Sequence, residues 1–586
     1  MTRPWHNPYT ESDRFPQGAM PVGSFVRLRL RVYGGCERAY VRMWKNNREE
    51  LYPMRPLTGG GYEAMVPVGK SVGLVWYYFI IDTARGRVFA GKPEGETCGE
   101  FAFEPPSFQI TVYDPAFSTP EWMRKSIMMQ IMVDRFHIGG KAVKPHGRGA
   151  YLHASWDEAP EVRLAPKGGD CEAIDFFGGN LKGVLEKLAY IKSLGVNALY
   201  FNPIFRARSN HKYDTGDYME IDPSFGTNAE FDELMQALKD EGMHVVLDGV
   251  FSHTGADSRY FNKFKTYEGI GAYQSAGSKY ASWYRFGKDR DDYDAWWGFD
   301  TLPNVNELDP KYLDFIVRGK DAVAAHYIKR GTSGWRLDVA DELPMDFIRQ
   351  LRQRVKAEGR ENAVIGEVWE DPSNKIAYGK LRSYALGDTL DSTMNYPLRS
   401  AVIDFFTGKT NAYQLSEIIN HQMSTLPRPM MYSMMNLLGS HDRPRIINML
   451  SGNENLEPER EKRAFIPLSK EEYALGKKRF VKAWELVCHL PGMPCLYYGD
   501  EAGLTGMGDP FCRMPYPWGK EDEELRERIR EINMKRVNDR ALTLGEARVN
   551  AKNADTIEIK RMIRNGEDAF GKKAEDKETV FTLKRE

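Results

Sequence analysis

Carboxylates recur in this chain where apolar runs end. Four short stretches carry them: Asp248-Gly-Val-Phe-Ser-His253, Gly334-Trp-Arg336-Leu-Asp338-Val-Ala, Ile365-Gly-Glu367-Val-Trp369 and Leu438-Gly-Ser-His441-Asp442. Clustered acids suit cleavage of a glycosidic bond, which passes through an oxocarbenium-like transition state. One carboxylate attacks or stabilises the anomeric carbon and another protonates the leaving oxygen; a separation of about 5–5.5 Å gives retention through a covalent intermediate. Arg336 stands two residues before Asp338 and shares its side of a strand. A cation there would keep Asp338 ionised, as a nucleophile needs. Glu367 lies among Ile365, Val368 and Trp369. Partial desolvation beside other acids would raise its pKa, as a general acid needs. Taken singly each stretch is weak, because an Asp at a strand end also caps helices and turns. A lone His253 reads more often as a hydrogen-bonded structural histidine. Order and spacing carry the argument.

The elements that must position these groups follow a strand–helix alternation. Ser126–Val133, Val196–Phe201 and His244–Val250 read as strands, and Leu181–Leu194 as a helix. Thr227-x-x-Glu230 is a capping box that starts another helix through Leu234 and Leu238. Met430–Leu438 reads as a strand before Asp442, Arg479–Leu490 as a helix before a strand at Cys495–Tyr498, and Glu523–Met534 as a late helix. Repeated units of this kind predict a parallel sheet with helices outside. Asp338 and Glu367 are 29 residues apart, one unit of a (β/α)8 barrel at about 30 residues per unit. Asp248 and Asp338 are 90 apart, which predicts an insertion after strand three. The four stretches then fall at strands three, four, five and seven, on the face where barrels host chemistry.

The predicted fold class is therefore α/β: a (β/α)8 TIM barrel over 116–251 and 311–535, with a small domain inserted at 252–310. An N-terminal β-sandwich over 1–115 rests on period-two alternation such as Val26, Leu28, Leu30 and Val32 against Arg27, Arg29 and Arg31. Residues 536–586 predict a short C-terminal β region. Trp44 and Trp76 lie in alternating runs and are expected in the core rather than in a sugar site. Of Trp283, Tyr284, Trp296 and Trp297, some should line a sugar groove and the rest hold the inserted domain together.

Composition narrows the partners. Lys+Arg number 81 and Asp+Glu 82 in 586 residues, and 42% are hydrophobic. A balanced charge supplies no chain-level pull on nucleic acid. No run of about 18 apolar residues occurs, so no membrane span is expected. The six cysteines, Cys36, Cys98, Cys171, Cys488, Cys495 and Cys512, lack zinc spacing and read as reduced thiols. With no apolar signal core near Met1, a cytoplasmic protein is expected. The charged stretch 458–463 reads as a solvated loop.

The four stretches resemble the conserved regions of the α-amylase family, glycoside hydrolase family 13. Leu302-Pro-Asn-Val-Asn306 resembles its extra motif near the end of the inserted domain. His211-Lys-Tyr213-Asp-Thr-Gly-Asp-Tyr-Met-Glu-Ile-Asp-Pro-Ser-Phe-Gly226 and Tyr498-Gly-Asp-Glu-Ala-Gly503 are similar to its second- and eighth-strand segments. The resemblance covers roughly 120–535, and with the N-terminal β-domain it points to the cyclomaltodextrinase, neopullulanase and maltogenic amylase branch. It implies Asp338 as nucleophile, Glu367 as acid/base and Asp442 as third acid. His253 and His441 would hydrogen-bond the sugar, Tyr213 would stack on it, Arg336 and Asp248 would hold the acids, and Trp369 would flank the leaving group. The implied activity is retaining hydrolysis of α-1,4-glucosidic bonds in cyclodextrins, maltodextrins or pullulan. The alternatives are a transglycosylase or isomerase on maltooligosaccharides and a non-catalytic sugar-binding protein. The resemblance also implies a homodimer through the N-terminal domain.

Two departures stand out. Asp341-Glu342 replaces the branch's usual Asn-Glu, which bears on linkage preference or the acceptor side. The loop Phe136-His-Ile-Gly-Gly-Lys141-Ala-Val-Lys144 is basic where many relatives place acidic calcium ligands, and Gly178-Gly179-Asn180 replaces Gly-Gly-Asp. A hard cation needs several charged oxygen ligands, so no metal, and no cofactor, is expected.

Overall fold

A computed structural model describes residues 3–163, 172–453, 456 and 465–586. Cys171 and the stretch 458–463 lie outside them. Among the described residues, eight parallel strands pair in chain order: β1 (Met128–Ile131), β2 (Ala198–Phe201), β3 (His244–Gly249), β4 (Gly334–Leu337), β5 (Ala363–Gly366), β6 (Ser392–Thr393), β7 (Met435–Leu437) and β8 (Met493–Tyr497). β8 pairs back onto β1. One parallel bridge, Met394 to Met435, joins β6 to β7 and closes the ring. Strands buried on both faces need apolar residues at nearly every position. Met128, Tyr200, Val246, Ile365, Met435 and Cys495 pack inside the ring, while Met129, Leu199, Val245, Leu247 and Val364 face the outer helices.

Local signals explain the helices. The Thr227 side chain accepts from the Glu230 backbone and Glu230 bonds back to Thr227, so the helix Asn228–Asp240 begins where the capping box predicts. The predicted helix Leu181–Leu194 is two short helices, Leu181–Glu186 and Leu188–Ser193, interrupted at Lys187. The run Met430–Leu438 is not one strand. Pro429 sits in the first turn of a short helix, Arg428–Met431, and the strand is only Met435–Leu437. Proline's fixed φ suits a helix start, so a Met-rich run was split by punctuation at its edge. The helix predicted from Arg479 starts earlier, at Lys470, capped by Ser469.

Before the barrel, two largely antiparallel sheets, one with Met20–Pro21 paired parallel to Phe108–Tyr113, enclose a core of Val26, Leu28, Leu30, Val41, Phe79 and Ile110. Trp44 and Trp76 do not join it. Met43, Val75 and Tyr77 point inward, so strand parity puts both tryptophans on the outer face, where they sit opposite each other in register. The alternating runs were read correctly and the face was not. After the barrel, Glu546–Asn553, Thr556–Ile563 and Lys577–Lys584 form an antiparallel sheet against the helix Ala412–Thr425, whose Asn420 donates to the Val549 carbonyl at 3.0 Å.

Residues 252–310, between β3 and β4, carry two short 3-10 turns among the described elements. Trp283 and Tyr284 are buried against Tyr260 and Phe261, while Trp297 is 77% exposed. Trp283 and Tyr284 thus help hold the inserted segment together. A bridge from His253 to Asn304 ties this segment to the end of β3.

Candidate active site

Strand ends bring the four stretches to one rim. Asp248 is the penultimate residue of β3, Arg336 lies on β4 with Asp338 just beyond it, Glu367 follows β5, and His441 and Asp442 follow β7. Arg336 is fully buried and is the common partner. Its Nη1 donates to Asp248 Oδ1 and Asp338 Oδ1, each at 2.8 Å. Its Nη2 lies 2.9 Å from Glu367 Oε2. A single guanidinium therefore joins three carboxylates from three strands.

Glu367 is held from two further directions. The Val339 N–H donates to Oε2 at 2.8 Å and Trp369 Nε1 donates to Oε1 at 3.1 Å. Val339 has φ +39°, a left-handed conformation that a β-branched residue adopts only under strain. Strain of this kind costs about 1–3 kcal/mol and gathers at functional sites. Here it accompanies the turn that aims the amide at Glu367. Trp369 is stacked on Tyr396 at 3.8 Å between ring centres, and the Arg443 guanidinium lies 4.5 Å from its ring centre.

A second network fixes the histidines. Gln130 Nε2, on β1, is shared between Asn202 Oδ1 at 3.0 Å and His441 Nδ1 at 2.9 Å. His441 Nδ1 therefore accepts, and the proton sits on Nε2, 2.6 Å from the Tyr213 hydroxyl and 3.1 Å from Asp442 Oδ2. Tyr213 donates onward to Asp248 Oδ2 at 2.9 Å, and Tyr200 donates to the same oxygen at 2.6 Å. His253 Nε2 lies 3.2 Å from the Tyr213 carbonyl and its Nδ1 2.9 Å from Ser252 Oγ. Both histidines thus spend both ring nitrogens on protein atoms, and Tyr213 lies parallel to the His441 ring at 5.3 Å. Asp442 is 31% exposed at the mouth, with Arg513 Nη2 3.4 Å from its Oδ1.

The electrostatics follow from burial. Desolvation, then the charges of Glu367 and Asp248, push Asp338 well above the ordinary carboxylate range, against the pull of Arg336. Burial likewise raises Asp248. Burial and Glu367 raise Asp442 to about 7, with Arg513 and Arg336 opposing. The sequence reading expected Arg336 to keep Asp338 ionised; the structure divides Arg336 among three acids, and on Asp338 burial together with the charges of Glu367 and Asp248 outweighs its pull.

Burial also holds His441 well below its usual value and brings His253 down to about 4. An unfolded histidine binds its proton near pH 6.5. The folded His253 resists it, so stability is intact above pH 6.5 and declines as pH falls toward 4, by about 3 kcal/mol at the low end. His253→Asn should flatten that part of a urea-midpoint profile between pH 7 and 4. An unchanged slope would show that His253 does not carry it.

Several contributors escaped the sequence reading: Gln130, Tyr200, Asn202, Tyr396 and Arg513. Gln130 had a signal, being the one polar residue in the run Ile127–Val133. Tyr200 lies on β2 and Asn202 just beyond it, Tyr396 opens a helix and Arg513 ends a short 3-10 turn, and none has a distinguishing sequence pattern. At the loop after β1, the Asn180 side chain accepts from Gly139 N and Gly183 N and donates to Gly139 O. Its amide is occupied within the protein.

Fold and site together define a (β/α)8-barrel protein with a carboxylate centre of the glycoside-hydrolase type. The family model of the α-amylase catalytic domain matches residues 130–560, and the chain belongs to that family. It is 34% identical over 635 aligned residues to an amylopullulanase of Thermoanaerobacter thermohydrosulfuricus, covering 99% of this chain and 42% of that protein. The chain therefore spans less than half the length of that relative. It is 30% identical to neopullulanase 2 of Thermoactinomyces vulgaris, covering 89% of this chain and 83% of the relative. Among solved structures, the cyclic α-maltosyl-(1→6)-maltose hydrolase of Arthrobacter globiformis is similar with a TM-score of 0.63 and 29% identity, over 76% of this chain and 89% of that one.

Proposed function

We propose that the chain is a retaining α-glucan hydrolase that cleaves α-1,4-glucosidic bonds of cyclodextrins, maltodextrins or pullulan. The observation that carries this reading is Arg336 holding Asp338 and Glu367 on its two terminal nitrogens at one barrel rim. Relatives named amylopullulanase, neopullulanase and cyclomaltodextrinase support the substrate class.

The geometry fits a double displacement. Asp338 attacks the anomeric carbon, and the C1–O bond breaks as Glu367, acting as general acid, gives a proton to the leaving oxygen. The product alcohol departs and a glucosyl ester of Asp338 remains. Glu367, now a carboxylate, takes a proton from water; the water oxygen displaces Asp338 from C1 and restores the α configuration. Arg336 and Asp248 keep the two acids in register. Asp442, at the mouth, accepts hydroxyls of the bound sugar. Trp369 is a positioning residue that orients Glu367 from the leaving-group side. Because His253 and His441 bond protein atoms, their first task is to hold Tyr213 against the sugar site, and each reaches the sugar only by exchanging a partner. Asp341 is held by the Tyr384 hydroxyl at 2.8 Å and by Lys375 at 3.3 Å, which supports an altered acceptor side.

Hydrolysis of a chromogenic maltoside followed by proton NMR tests the reading. The first product formed should be the α anomer; β anomer, or no turnover, would overturn it. At high sugar concentration, a dominant transfer product would favour the transglycosylase reading instead.

In this reading the catalytic barrel spans 116–251 and 311–535 and the inserted domain 252–310. The N-terminal sheets form the surface through which a homodimer would assemble. Sedimentation of the chain with and without 1–115 checks this, a dimer being expected only with them. A reducing, cytoplasmic setting is supported by five free cysteines among the described residues, four of them buried. Among those residues no helix is long and apolar enough to cross a membrane.

A further inference from the structure

One tryptophan beside the carboxylates has both faces covered, and the two covers come from different strand ends. Tyr396, the first residue of the helix Tyr396–Thr407, lies nearly parallel to Trp369, at 9° and 3.8 Å between ring centres. A face closed at that distance admits nothing else, so the Arg443 guanidinium, 4.5 Å from the same ring centre, occupies the other. Both covers stand on fixed roots. Tyr396 is buried, and its hydroxyl lies 3.4 Å from Ser440 Oγ. Arg443 stands between Asp442, whose N–H donates to Ser440 Oγ at 3.1 Å, and Pro444, which restricts its backbone. Arg445 then anchors the segment, with Nη1 donating to Asp500 Oδ1 at 3.0 Å.

What the indole does with its edge gives the sandwich a consequence for chemistry. Its Nε1–H, the one polar group it has, donates to Glu367 Oε1 at 3.1 Å. Arg336 and the Val339 N–H hold the other oxygen, Oε2. The direction of Oε1 is therefore set by Trp369, and a tilt of the ring turns the carboxyl that must meet the leaving oxygen. A cation over an indole face is attracted by the ring's quadrupole and resists such a tilt. We propose that Arg443 is a positioning residue for proton transfer: it closes the second face of Trp369 and so fixes the indole N–H that aims Glu367. The role in proton transfer rests on the hydrolase reading above. With both faces covered, no sugar stacks on Trp369 while Arg443 is in place, so the indole serves the leaving group through its edge and through Glu367. The segment 440–445 thereby supports two acids, presenting Asp442 to the mouth and steadying Glu367 across the rim.

The test uses two substrates that differ in their need for a proton. The leaving oxygen of maltotriose must be protonated as its C1–O bond breaks; α-maltosyl fluoride loses fluoride as an anion while Asp338 bonds to C1. For both, kcat/KM reports the steps up to the glycosyl ester. Arg443→Ala should lower it on maltotriose about tenfold, a part of the about 10^2–10^4 that acid–base catalysis supplies, and leave it unchanged on the fluoride. Trp369→Phe keeps the sandwich and loses the N–H. Adding Arg443→Ala to it should cost nothing more on maltotriose, since the two side chains act as one unit. Arg443→Lys keeps the charge without the plane; it should fall between the parent and Arg443→Ala, and it carries the comparison if the alanine variant does not fold. Equal losses on both substrates, additive losses in the double variant, or no loss on maltotriose overturn the proposal. In protein labelled with 5-fluorotryptophan, the fluorine line missing from Trp369→Phe should shift and broaden in Arg443→Ala; an unmoved line overturns it as well. Absence of parent turnover on both substrates strikes the hydrolase reading instead, and that line then decides alone whether Arg443 holds Trp369.

Discussion

Asp338→Asn should lose at least about 10^4-fold in kcat on any maltooligosaccharide while melting at the parent's temperature or above it. The amide keeps the parent's shape and leaves an oxygen for Arg336 Nη1, which now donates to Asp338 at 2.8 Å. What it loses is the electron pair that attacks the anomeric carbon, and losses of a nucleophile reach about 10^4–10^6. Stability moves the other way. Asp338 is buried beside Glu367 and Asp248, which oppose its charge, so one fewer carboxylate relieves like-charge crowding around a single guanidinium. Activity and melting measured on one preparation separate the two effects. Retention of more than a per cent of activity would remove Asp338 from the attacking role. A collapse in melting temperature would show that its charge is needed by the fold instead.

The parts of the fold legible in the sequence were those written in local chemistry. The Thr227–Glu230 box starts its helix because two side chains three residues apart satisfy free backbone donors, whatever surrounds them. Asp248, Arg336, Asp338 and Glu367 were legible because short apolar strands end in charged residues, and a closed barrel brings its strand ends together at one rim whatever the length of the connections. What escaped depended on choices made over distance. Trp44 and Trp76 sit in correctly read strands, yet which face is inward is decided by the opposing sheet. Arg513 reaches Asp442 from a loop 71 residues away, and nothing local announces it. The positive φ of Val339 is imposed by the turn from β4 to the following segment and leaves no trace in residue type. The assignment of protons missed for the same reason. Arg336 was seen beside Asp338 in sequence, but its other nitrogen faces Glu367, and only the assembled rim shows three acids dividing one cation.

That division gives the second acid a distinct signature. Glu367→Ala should lower turnover of maltotriose by about 10^3–10^4-fold, the upper end of what general acid–base catalysis contributes. A substrate whose leaving group departs without a proton, such as an α-maltosyl fluoride, should still load Asp338. The glucosyl ester then persists, because no base remains to deprotonate water, and added azide should discharge it. Azide needs no deprotonation and occupies the space the carboxylate leaves. In that reaction its nitrogen bonds to C1 as the ester C1–O bond breaks, so the product is the α-glycosyl azide. The same anion offered to Asp338→Ala has no ester to attack; it displaces fluoride directly and yields the β-azide. The two variants therefore sort the two acids by the handedness of a stable product, which NMR reads without reference to residual activity. Trp369 and the Val339 amide, which grip the two Glu367 oxygens, remain in place in Glu367→Ala, so the rim should stay ordered around the vacated site. If both variants gave the α-azide, or if azide accelerated neither, Glu367 would not be the proton carrier and the division of labour around Arg336 would have to be redrawn.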